Sequence, residues 1–191
     1  MTVALIRAIQ NFVGLSTDTK PTAPPTGSTF LETDSGATYV YDGSAWAILM
    51  TAGPFRASAT FTFTGAAGFG QLASPTCTFV NVTGQVVVEK LVPFCTVDLV
   101  SAGGGTLILG AVGTTGLFLS GTTAAASIDA NKRWLSTGGA GASVAIPAAF
   151  KEIFLDDDII GTVGTADITA GAIRFDCYWR PLSANGLVAP P

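Results

Sequence analysis

The chain has 191 residues, of which 48% are hydrophobic and only 12% charged, against a usual charged share of about 25%. Its net charge is −4 with no run of basic residues, which argues against direct nucleic-acid binding. It contains no histidine, so His-based triads, His-metal sites and the commonest general base are all excluded.

This length suits one main domain with a small appendage, able to bury roughly 70% of the unfolded chain's surface. A surface poor in charge and rich in Thr, Ser, Ala and Gly is expected where subunit contacts cover it, or where a β-rich domain has a Thr/Ser exterior. Met1 to Gly14 (MTVALIRAIQNFVG) has no small-residue cleavage site after a clean apolar core, so no secretory leader is expected. It reads as a short helix with Leu5, Ile6, Ile9, Phe12 and Val13 on one side, or as a strand added to a neighbouring sheet. Either form is marginal alone and needs a partner, which makes it a docking arm or a segment packed on its own domain. Leu15 to Ser28 holds three prolines and no apolar periodicity. It reads as a linker, partly polyproline II, reaching roughly 40 Å.

Thr29 to Met50 (TFLETDSGATYVYDGSAWAILM) predicts a three-strand meander: Thr29 to Thr33, Ala37 to Tyr41 and Ser44 to Leu49. Asp34-Ser35-Gly36 is the first turn and Asp42-Gly43 the second, a strong hairpin signal. So small a unit relies on Tyr39, Tyr41 and Trp46 for packing.

From Phe55 to Phe63, apolar and polar residues alternate strictly, which predicts a half-buried strand. Thr76 to Val82, Gln85 to Val92 and Phe94 to Val100 follow, with Pro93 expected to break the ladder. Thr106 to Val112 and Gly116 to Ser120 form a glycine-linked pair. Ala124 to Trp134 reads as a helical or looped insert, which Asp129 and Asn131 would cap. Val144 to Leu155 is strand, loop, strand, and Asp156-Asp157-Asp158 is a charged turn. After Ile159 to Val163 and Asp167 to Thr169 comes Ala172 to Arg180. That strand places Ile173, Phe175, Cys177 and Trp179 inward and Arg174, Asp176, Tyr178 and Arg180 outward. About nine or ten short strands separated by turns predict an all-β chain with a β-sandwich or jelly-roll-like body. The expected division is an extended arm and linker over residues 1–28, a meander over 29–50 and a sandwich over 51–191.

The uncharged run from Leu99 to Ile128 is punctuated by glycines and threonines, so strands are expected there rather than a membrane helix. Cys77, Cys95 and Cys177 match no metal spacing and read as buried free thiols. Gly103-Gly104-Gly105 lacks the Gly-Lys-Ser/Thr of a phosphate loop and reads as a turn. Glu32, Glu89 and Glu152 are dispersed, and no carboxylate pattern supports a glycosidase. Asp156 to Asp158 offers oxygen ligands for Ca²⁺, or forms a solvated loop. No enzyme activity and no cofactor are expected.

The pattern T-F-L-E-T-D-x-G-x-x-Y-V-Y-D-G-S-A-W, after a K-P-T-x-P-x-G-S run, resembles a module of tailed-bacteriophage virion proteins. The stretch Gly161 to Val188, with I-T-A-G-x-I-x-F and W-R-P-L-S, is similar to the ends of phage structural proteins. The resemblance implies a structural role in the virion, made in the host cytoplasm. The first expectation is a capsid decoration (cement) protein, a homotrimer bound to the major capsid protein on the outside of the head, without membrane contact. The alternative is a tail- or head-fibre-associated protein that attaches to the host surface. The expected contact residues are Leu5, Ile6, Ile9 and Phe12 in the arm and Phe30, Tyr39, Tyr41 and Trp46 in the meander. The meander aromatics would stack on sugars in a receptor-binding tip, or pack into a core or interface.

Overall fold

A computed structural model describes residues 9–51, 54–138, 144–183 and 185–191. The chain is all-β and divides into two compact units, Met1–Phe55 and Arg56–Pro191. Among the described residues, no helix is long and apolar enough to cross a membrane.

The first unit is one four-stranded sheet built from β1 (Asn11–Gly14), β2 (Thr29–Glu32), β3 (Ala37–Tyr41) and β4 (Trp46–Thr51), in that order. The three meander strands form where their alternation and turn residues place them. Gly36 takes a φ of 71° in the first turn, as glycine can without steric cost. At the second turn the Asp42 carboxylate accepts the backbone N–H of Ser44 and Ala45, so the loop runs to Ala45 and β4 begins at Trp46.

Two expectations change here. No helix reaches Gly14: Asn11–Gly14 is a strand that pairs in parallel with β2 of its own sheet, and Met1–Ala8 lies outside the described residues. Nor is Leu15–Ser28 a free spacer. Parallel neighbours need a crossover of a dozen or more residues, usually a helix. Here the Pro-rich segment makes that crossover and folds back on the sheet. The Pro21 carbonyl accepts Trp46 Nε1–H at 2.8 Å, and Ser16 donates to Asp34 through both its backbone N–H and its hydroxyl.

The second unit is a β-sandwich-like body. Its strands are β5 (Phe55–Thr62), β6 (Thr76–Thr83), β7 (Val86–Val100), β8 (Thr106–Ala111), β9 (Thr114–Ala124), β10 (Ile153–Leu155), β11 (Ile159–Gly164), β12 (Ala170–Pro181) and β13 (Leu187–Ala189). One sheet runs β10-β7-β12-β5 and the other β13-β6-β11-β8-β9. Aromatic rings join them: Phe79 of β6 stacks on Phe175 of β12 at 4.4 Å and meets Phe61 of β5 edge-on at 4.9 Å. Gly161 on β11 leaves the room for this. A Cβ there would lie 2.3 Å from the Phe79 ring.

The alternating faces of β5 and β12 are as the sequence indicates, with Ile173, Phe175, Cys177 and Trp179 buried. Asp176 is the exception, since it is buried on the outer side of the sheet. Pro93 does not break its strand, because β7 is continuous from Val86 to Val100. The Pro93 carbonyl accepts Trp134 N–H, and the Cys95 N–H and C=O bond to Lys132 and Asn131. Residues of this parity turn their backbone groups away from β12, so Pro93 removes no donor that β12 needs. The 125–135 segment is a loop with one 3-10 turn, Ala125–Ser127, whose N-terminal cap is Ala124 with no side-chain bond. Asp129 instead pairs with Lys132, and Asn131 takes a φ of 64°. The segment packs Ile128, Trp134 and Leu135 inward. No strand forms over Asp167 to Thr169, whereas the short β13 docks on β6.

Candidate interaction surface

The register of the first sheet sorts its side chains onto two faces. Phe12, Phe30, Tyr39 and Ile48 are lateral neighbours, and Tyr41 faces Trp46. On this face the Trp46 ring gathers Phe12 at 6.1 Å, Phe30 at 6.0 Å and Tyr41 at 5.4 Å. Phe30 and Tyr41 are buried and the other two half-buried. Residues 20–22 of the crossover close over them, with the Tyr41 hydroxyl donating to the Thr22 carbonyl at 3.4 Å.

A charged lock sits beside the rings. Lys20 Nζ donates to Glu32 Oε1 at 2.6 Å, and the Ser35 hydroxyl takes the second carboxylate oxygen. The ammonium also lies over the Tyr39 ring at 4.2 Å and the Phe30 ring at 5.0 Å, a cation-π arrangement. Burial, then the Glu32 charge, pushes the Tyr39 phenol up to about 12. The Ser16 hydroxyl lowers Asp34, and the backbone N–H groups of Ala45 and Ser44 lower Asp42.

The structure therefore brings together Phe12, Phe30, Tyr39, Tyr41 and Trp46, but as a small core under the crossover. Leu5 and Ile6 lie outside the described residues, and Ile9 is exposed. A flat aromatic platform for sugars is absent from this cluster, because the crossover occupies it. The opposite face is open. Val13 and Leu31 are lateral neighbours there, 68% and 40% exposed, with Val40 and Ala47 one row along. Sequence reasoning placed Val13 on the same side as Phe12 and passed over Leu31, Val40 and Ala47. The alternation in NFVG and TFLE carried the signal, but only the pairing of β1 with β2 brings Val13 beside Leu31.

The second unit offers an opening of about 680 Å³ between β5 and the lower half of β6, walled by Thr60, Thr62, Thr76, Thr78 and Phe69. β13 covers only Asn81–Thr83 of β6. Val163 N–H bonds to Pro75 O, so the backbone groups of Thr76 and Thr78 point the other way, into this opening. Such an edge accepts an added strand. The Asp156-Asp157-Asp158 turn is not arranged around a cation. Asp158 accepts Val82 N–H through its side chain and Val112 N–H through its carbonyl. Among the described residues, no group of three or more His, Cys, Asp or Glu side chains is placed to hold a metal ion. The three thiols are free and buried, and burial pushes Cys77 and Cys95 up to about 11 and Cys177 to about 12, which suits packing rather than nucleophilic chemistry. No family model matches the chain, and no curated protein matches it.

Proposed function

We propose that this chain is a structural protein of tailed-phage particles that binds the outside of the assembled head and stabilises it. The observation that carries this reading is the N-terminal sheet, a small unit whose aromatic face is covered by its own crossover at Phe30 and Tyr41 and whose other face leaves Val13, Leu31 and Ala47 exposed beside the half-buried Val40. The likeness of Thr29 to Trp46 to phage virion modules supports the same reading. The open face docks on the major capsid protein, and the chain assembles as a homotrimer. A protein that binds the assembled shell and not its separated subunits makes disassembly less favourable by mass action, and several linked contacts raise the avidity. The chain acts by binding, without catalysis.

Val13→Lys and Leu31→Lys test it. Each puts a charge on the open face without touching the Trp46 cluster. The expected outcome is an unchanged melting temperature with loss of binding to heads stripped of this protein. Unimpaired binding by the double variant would rule out this face. Binding to tails or host cells in place of heads would move the function to adsorption.

A further inference from the structure

The sequence shows no basic cluster, yet the fold makes one. Nine Lys and Arg residues occur in the chain, and five of them (Arg56, Lys90, Arg133, Arg174 and Arg180) meet on the outer face of the β10-β7-β12-β5 sheet. They are far apart in sequence, so no window reveals them. They form a connected network. Arg56 and Lys90 lie over the Tyr178 ring at 6.0 and 4.0 Å, and Arg133 and Arg174 over the Phe94 ring at 5.9 and 5.3 Å. At its centre the buried Asp176 carboxylate accepts Arg56 Nη2 at 2.7 Å, the Ser58 hydroxyl at 2.7 Å and Arg174 Nε at 3.1 Å. Arg180 pairs with Glu89 at one end.

Five cations against two carboxylates leave this face with three net positive charges. Its rims, with Lys132 and Lys151 against Asp98, Asp129 and Glu152, lower that by one. Since the whole chain is −4, everything outside this region is −6. The segregation of charge is strong for a protein so poor in it.

We propose that this face docks a carboxylate-rich surface of another folded protein, with Arg56 and Arg174 as the anchoring forks. Asp176 fixes both guanidinium groups and leaves their remaining N–H donors for a ligand, so less side-chain entropy is lost on binding. Planar forks match carboxylates in bidentate geometry. Nucleic acid fits less well on two grounds. Single strands are bound by stacking bases on open aromatic faces, and cations already cover Tyr178 and Phe94. A long uniform polyanion would also meet Asp176 inside the face and, elsewhere in the same unit, the uncompensated carboxylates of Asp156, Asp157, Asp158 and Asp167. This inference concerns the second unit and stands apart from the head-binding reading.

The test uses the full chain with three fluorescent probes of equal charge: a Glu/Ser peptide, a single-stranded oligonucleotide and a heparin fragment. The acidic peptide should bind tightest at low salt and weaken about tenfold as salt rises to about 0.2 M, where exposed charges are screened beyond about 8 Å. Arg56→Gln with Arg174→Gln should cost about tenfold or more. Lys90→Gln with Arg180→Gln leaves the Asp176 bonds intact and should also weaken binding, which separates charge loss from misfolding. Asp157→Asn, away from this face, should change nothing. Tighter binding of the oligonucleotide or heparin, or no binding of any probe, would overturn the proposal. Salt-sensitive self-association abolished by the Lys90/Arg180 variant would overturn a separate partner in favour of a second copy of the chain.

Discussion

Single atoms decide much of this packing. A methyl group on Gly161 would point into the Phe79 ring, which is itself fixed between Phe61 and Phe175. Overpacking of a filled core costs about 1–3 kcal/mol. Gly161→Ala should therefore lose that much in urea unfolding, while Gly138→Ala, with nothing near its Cβ, should stay within about 0.5 kcal/mol. Equal effects would refute the steric explanation. The buried thiols give a pH prediction. Folding holds Cys77, Cys95 and Cys177 neutral up to about 11, 11 and 12, whereas in the unfolded chain they ionise near 9. The unfolded state therefore releases its protons first, and stability falls as pH rises above 9. Tyr39 adds to the loss between 10 and about 12. The melting temperature should drop steadily across that window, and a flat profile would contradict the burial. At the acid end, burial raises Asp176, but the Arg56 and Ser58 bonds and the Arg174 charge outweigh it and hold the carboxyl below its usual value of 3.8. Its stabilisation is present above 3.8 and is lost as pH falls below it.

At the scale of elements, the crossover is the part most open to attack. Removing Lys20 leaves the Glu32 carboxylate, 3% exposed, with the Ser35 hydroxyl but without its cation. A buried acceptor stripped of a partner costs about 1–3 kcal/mol. Lys20→Met should speed amide exchange across β2 and β3, and adding Glu32→Gln should restore part of the protection. Unchanged exchange in Lys20→Met would mean that the lock is ornamental. What the sequence revealed about elements follows from where their information lies. β5 and β12 were legible because each alternates strictly and buries one face. The meander was legible because Gly36 and Asp42 mark its turns. β1 was not, since its partner lies beyond a proline-rich stretch that looks like a spacer. β7 was misread at Pro93 because tolerance of proline depends on which neighbour the missing N–H would face. The 125–135 segment gave no periodic signal, as its order comes from bonds to Cys95 and Pro93. The basic face was invisible for the same kind of reason, since sheet pairing collects residues from Arg56 to Arg180.

At the scale of the whole molecule, low charge no longer needs a single explanation. The sandwich interior takes its aromatics and aliphatics, the N-terminal sheet leaves one apolar face open, and the few charges are sorted by sign. Such a molecule is suited to more than one contact, as the proposed role requires. Its two candidate contacts are separable by mutation, one apolar and insensitive to salt, the other cationic and sensitive to it. The most direct test of the proposed role is immunogold labelling of purified virions with antibody raised to Phe55–Pro191. Label spread evenly over the heads is the predicted result. Label confined to the tail or to a single vertex would contradict decoration.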